Sequence, residues 1–202
     1  MKIETILKEN GLSGARILSA TDKIEIPEMW SFLLTEEDKD KKKSLVIERW
    51  SDFSTLLPKT LNILEELLDD VLLVFHQQQI KMVYLLLVDE EYVLYVGNMP
   101  TTDSHIAILP DKLQHFYKHL HNGWFENISG GLGLLPIEKV RFLSQSEWGL
   151  PQEILQSTDL NKTYYVLHNG CKTLVGKTYF YPRIKVTPKV YVHLWCIVGP
   201  PN

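Results

Sequence analysis

Three histidines, His115, His119 and His121, fall close together in the middle of the chain. An i, i+4 imidazole pair on a helix is a spacing that can hold zinc. A zincin, however, carries a glutamate directly after its first histidine, and here Phe116 takes that place. Glycines 130, 131 and 133 could cradle a phosphate, but no Gly-Lys-Ser/Thr closes the loop. Cys171 could act as a nucleophile only beside a histidine brought in by the fold. Cys171 and Cys196 both sit in apolar, β-rich runs, where a thiol behaves as a small buried hydrophobe. Glu65, Glu66, Asp69 and Asp70 pair carboxylates of the kind used in acid–base work. Their consecutive positions read instead as the solvated face of a helix. Lys172, Lys177, Tyr179, Phe180, Tyr181, Arg183, Lys185 and Lys189 interleave bases with aromatics, as single-strand binders do. The same alternation marks a half-buried strand, and a pI near 6.0 lacks the basic excess expected. No catalytic, cofactor-binding or metal-binding residue is assigned.

The elements that would position these groups are read from periodicity. Residues 1–10 predict a short amphipathic helix with Ile3, Ile6 and Leu7 on one face, ended at Asn10-Gly11. Residues 15–26 read as extended, residues 36–43 (EEDKDKKK) as a solvated loop, and residues 45–50 as a short strand. Residues 57–76 carry Leu61, Leu64, Leu68, Leu72 and Phe75 at helical spacing. Residues 82–97 predict a hairpin about Asp89-Glu90-Glu91. In the central stretch, Pro110 opens a helix with Leu113, Phe116, Tyr117 and Leu120 on its buried stripe, which turns His115 and His119 to solvent. Asn122-Gly123 closes that helix with a left-handed residue. Residues 147–151 read as a break and 157–162 as a polar turn. Residues 164–175 predict a hairpin around His168-Asn169-Gly170. Residues 176–186 read as an edge strand or loop, and residues 189–198 as an apolar last strand. Leu57-Pro58 and Leu109-Pro110 echo one another, but their surroundings do not align, so no repeat is inferred. The expected fold is α+β, an antiparallel twisted sheet of about five to seven strands with helices on one side or end.

At 202 residues and 45% hydrophobic content the chain suits a single domain spanning 1–202. No apolar run approaches the ~18 residues that span a bilayer. The charged start lacks a signal-peptide core, and two cysteines make no disulfide scaffold. The expected setting is cytoplasmic, with no membrane partner. The net charge of −4 divides into 18 acids against 11 bases in residues 1–100, and 7 against 10 in 101–202. Such asymmetry can mark a partner surface, or simply keep both halves soluble.

The stretch ILPDKLQHFYKHLHNGWFENISGGLGLLPIEKVRFL, residues 108–143, resembles the SUKH superfamily of bacterial immunity proteins and fungal cell-wall regulators. The residues that carry it are Leu109-Pro110, Phe116, Asn122-Gly123, Gly131, Gly133 and Leu135-Pro136, within a match over roughly 105–198. Residues 1–100, with the helix at 57–76 and the hairpin at 82–97, then form an elaborated front to that core. The resemblance implies a non-enzymatic protein that binds and neutralises a cognate toxin, nucleases among the candidates. Such binding needs a few aromatic anchors ringed by polar groups. Trp124, Phe125, Glu126 and Asn127 are the partner-binding candidates, although Trp124 also suits a core position over the helix end. The alternatives are a nucleic-acid- or nucleotide-binding module, or a hydrolase using the histidines and glycines of 115–133. The oligomeric state stays open.

Overall fold

In a computed structural model, residues 2–55, 57–127, 133–142, 164–165 and 167–168 are described, with backbone alone at 141–142 and 164–168. Helix α1, Ile3–Glu9, buries Ile6 and Leu7 and ends at Asn10, whose side chain donates to the Ile6 carbonyl at 3.0 Å. Residues 15–26, expected extended, supply only the two-residue strand β1, Arg16–Ile17. A turn interrupts them: the Asp22 carboxylate accepts from the Ser19 amide at 2.8 Å and from the Arg16 guanidinium. A short helix, α2 (Phe32–Thr35), follows.

Residues 36–50 depart from expectation. The loop is confined to residues 36–38 and the strand does not form; Lys39–Ser51 is one helix, α3. Asp38 caps it, its carboxylate accepting from the Asp40 and Lys41 amides at 2.9 and 3.2 Å. Lys42, Val46 and Trp50 form its buried stripe, which begins on a lysine and so escapes a search for apolar residues. The expected helix over 57–76 is also corrected. Helix α4 covers Pro58–Leu67, and β2 begins at once with Leu68–His76. Leu68, Leu72 and Phe75 continue a helical spacing only because β2, covered on both faces, is apolar at every position from 71 to 75.

Strands β3 (Gln79–Val88) and β4 (Glu91–Asn98) form the expected hairpin. Both two-residue turns, Gln77-Gln78 and Asp89-Glu90, carry positive φ at each position, between 48 and 69°. This is the twist a two-residue hairpin needs, met here without the usual Asn-Gly. Helix α5 spans Asp111–His119, with Pro110 just outside its first turn. The strands β5 (Trp124–Glu126), β6 (Gly133–Leu134), β7 (Arg141–Phe142), β8 (Tyr164–Tyr165) and β9 (Leu167–His168) complete the order. Seven strands pair antiparallel as β1-β2-β3-β4-β5-β6-β9, and β7 pairs with β8 apart from them.

The sheet alternates cleanly between two cores. Met82, Tyr84 and Leu86 of β3 face α3, α4 and α5, whereas Val83 and Leu85 face α1. Helices therefore cover both faces, thick on one and thin on the other, and are not confined to one side. Because β1–β4 and the central stretch share one sheet, the first hundred residues are integral to it.

Candidate functional site

The central stretch is held from both ends. Leu113, Phe116, Tyr117 and Leu120 are all buried, as their spacing predicts. Helix α5 closes when the amides of Leu120 and His121 both donate to the Phe116 carbonyl. The left-handed residue comes later: Gly123 has φ +84°, and a Cβ there would lie 2.6 Å from the Pro136 nitrogen. Gly123 thus serves a close crossing of two backbones rather than the helix cap itself. Asn122 braces that crossing, its Oδ1 accepting from the Ile137 amide at 2.8 Å and its Nδ2 donating to Glu138 at 3.1 Å. Tyr117 Oη donates to the Leu135 carbonyl at 2.5 Å.

Of the four partner-binding candidates, Trp124 takes its alternative place in the core, 2% exposed. It stacks on Tyr95 with centroids 4.3 Å apart and meets Trp50 edge-on at 5.0 Å. Strand alternation explains this, since Trp124 and Phe125 point to opposite faces of β5 and the larger ring faces the thicker core. Phe125, Glu126 and Asn127 are half-buried. Asn127 Nδ2 donates to the Asn10 carbonyl at 2.6 Å, tying β5 to the end of α1.

His121 was grouped by sequence with two surface histidines, yet it is fully buried among Trp30, Trp50, Tyr84 and Phe116. Its ring lies against Gly97 of β4, where a Cβ would come within 2.3 Å of Nδ1. Trp50 Nε1 donates to Tyr84 Oη at 3.1 Å, and Tyr84 Oη lies 2.5 Å from His121 Nε2. Tyr84 Oη, accepting from Trp50, completes the chain in a second hydrogen bond with the imidazole. Burial pushes His121 down to about 3, against a weaker upward pull from the Asn98 backbone, and pushes the Tyr84 phenol up. This chain holds the sheet to α3 and α5. The signal was available: Tyr117 plus four lands on His121, one position further along the buried stripe.

The carboxylates also divide. Glu65 and Glu66 are exposed as expected, but Asp70 is 3% exposed at a register shift in β2. Lys42 Nζ lies 3.3 Å from it and Lys39 Nζ 3.4 Å. Asp69 accepts from Tyr92 Oη at 2.9 Å and pairs with Lys39 at 3.4 Å. Burial alone would lower the Lys39 ammonium, but the Asp70 and Asp69 carboxylates reverse that and hold it above the usual lysine range. The acidic pair therefore docks the start of α3 on the sheet.

His115 and His119 are exposed, as expected, with ring centroids 4.4 Å apart. Among the described residues no group of three His, Cys, Asp or Glu side chains is placed to hold a metal ion. No helix among them is long and apolar enough to cross a membrane. Glycines 130 and 131, both cysteines, the basic-aromatic run of 172–189 and the strands expected at 171–175 and 189–198 lie outside the described residues.

One open cleft of about 350 Å³ lies at the β2–β3 turn. Phe75, Ile80 and Met99 supply apolar lining, and Gln78, Gln79, Asn98, Asn122 and Glu138 the polar lining. Among the described residues that line it, none is cationic and none is a nucleophile. It can offer hydrogen bonds and apolar contact, but no phosphate clamp. Sequence patterning missed it because its rim gathers residues far apart in the chain. No protein-family model, curated protein or solved structure matches the chain.

Proposed function

We propose that this chain is a cytoplasmic protein-binding module of the immunity type, which engages a cognate toxin protein and blocks it without catalysis. The cleft at the β2–β3 turn carries the proposal. Apolar lining rimmed by amides is the composition of a small protein-recognition patch. A nucleotide site would want cations or a nest of backbone amides facing the phosphates. The resemblance of residues 108–143 to immunity proteins points the same way, as Asn122 and Glu138 of that stretch line the cleft.

The test begins by isolating the partner retained by the purified protein from its native cytosol. The partner is then expressed alone and together with the chain. Toxicity alone and rescue on co-expression are expected. A Gln77→Asn/Gln78→Gly/Gln79→Ala variant is expected to fold at least as stably as wild type yet lose rescue. A partner harmless on its own, or rescue undiminished by the variant, would count against the proposal.

A further inference from the structure

Asn-Gly pairs at 10–11 and 122–123 lie among the described residues, and the fold surrounds them with different groups. An asparagine before glycine can lose its side-chain amide, because no Cβ shields the glycine nitrogen from the asparagine Cγ. We propose that Asn122 is a self-modifying site in the cleft, where the fold promotes its conversion to aspartate and isoaspartate. The groups held against its side chain carry the argument. Asn122 Oδ1 accepts from the Ile137 amide at 2.8 Å, which places a donor where negative charge develops on that oxygen. Nδ2, the leaving nitrogen, donates to Glu138 Oε2 at 3.1 Å, within reach of a group that relays a proton. The peptide group carrying the nucleophile is fixed as well, since Asn98 Nδ2 donates to the Asn122 carbonyl at 3.1 Å. Asn122 also lines the open cleft, so water reaches it.

In the reaction the Gly123 nitrogen attacks Asn122 Cγ, forming one C–N bond while the bond from Cγ to Nδ2 breaks. The proton shed by Gly123 passes through cleft water to Glu138 and on to the departing nitrogen, which leaves as ammonia. Water then opens the cyclic imide at either carbonyl, giving aspartate or isoaspartate at 122. Asn10 lacks these aids. It is buried, its Nδ2 donates at 3.0 Å to the Ile6 carbonyl, which has no proton to relay, and the Gly11 nitrogen is itself bonded to the Lys8 carbonyl at 3.3 Å. The product at 122 puts a carboxylate opposite Glu138, where Nδ2 now donates, and so adds negative charge to the cleft lining. The effect of that charge on a partner rests on the proposed function; the reaction does not.

The test is prolonged incubation of the full chain at neutral pH, folded and in urea, with each site read by peptide mass spectrometry and isoaspartyl methylation. Conversion at 122 is expected to run faster in the folded protein than in urea, and conversion at 10 slower. Glu138→Gln keeps an acceptor for Asn122 but relays no proton. It is expected to slow conversion at 122 in the folded protein at least about tenfold and to match wild type in urea. Slower conversion at 122 in the folded protein than in urea would show that these bonds protect the site, and would overturn the proposal. An undiminished rate in folded Glu138→Gln would overturn it equally. Neither readout needs the partner, so failure here leaves the proposed function standing.

Discussion

His121 makes the stability of this protein a function of pH in a window where few other groups act. The folded protein resists protonation of this ring until about pH 3, whereas an unfolded chain takes up the proton near pH 6.5. A group whose folded pKa is depressed stabilises the fold above its unfolded pKa, and that stability drains away as pH falls toward the folded value. The loss approaches about 1.4 kcal/mol per pH unit, or about 2 kcal/mol between pH 8 and pH 5. With a urea slope of about 2 kcal/mol/M, the unfolding midpoint is expected about 1 M lower at pH 5. Asp22 and Asp103 are held below the carboxylate range by the Ser19 and His105 amides respectively, with Arg16 and the His105 ring adding to this. Their contributions fade only as pH falls below about 4. Lys39, held up by its carboxylates, loses its contribution only on the alkaline side. The assay is urea unfolding of wild type and His121→Gln at both pH values. Glutamine keeps an acceptor for Tyr84 and does not titrate, so its midpoint is expected to move much less. Equal movement in the two proteins would refute the buried, neutral assignment of His121.

Gly123→Val is expected to cost about 3 kcal/mol or more, from left-handed strain plus a clash with the backbone at 135–136. Gly14→Ala is the control. Gly14 has φ +77° with nothing within 4 Å of an added Cβ, so only about 1 kcal/mol is expected. Equal costs by chemical denaturation would remove the close-crossing explanation. Lys42→Met is expected to cost about 3 kcal/mol, since it leaves the buried Asp70 carboxylate with the Val71 amide and, for charge, only the more exposed Lys39. Lys42→Met/Asp70→Asn is expected to recover much of that, so strictly additive costs in the double-mutant cycle would show the pair to be uncoupled.

The parts of the fold that sequence reveals are those where one local rule acts alone. Helix α5 carries one clean period, the β3–β4 hairpin shows as two apolar runs around a polar turn, and Ile6 and Leu7 sit where α1 requires them. The misplaced parts are those where tertiary context supplies the missing half of a pattern. The buried stripe of α3 includes Lys42, acceptable inside only because Asp70 waits on β2, many residues away. The passage from α4 to β2 has no glycine or proline to announce it, and the strand is apolar on both faces, so a helical stripe runs on through it. The core reading of Trp124 rests on its place after the helix, whereas the face it occupies is set by the thicker helical layer on its side of the sheet.

The three histidines show why spacing must be joined to face before it is read as chemistry. His115 and His119 stand one turn apart on the solvent face of α5, and both remain accessible. His121 lies two residues further on, about 200° around the helix had it continued, where it meets Trp30 and Trp50 instead of water. Its imidazole then loses the property that makes histidine useful near neutral pH, because burial keeps it uncharged and Tyr84 occupies Nε2. The pair left outside keeps both rings accessible, in contact with one another on the solvent face. Identical side chains within one short motif thus divide into a structural member and two with chemistry still open to them, and the division follows from which layer each one faces.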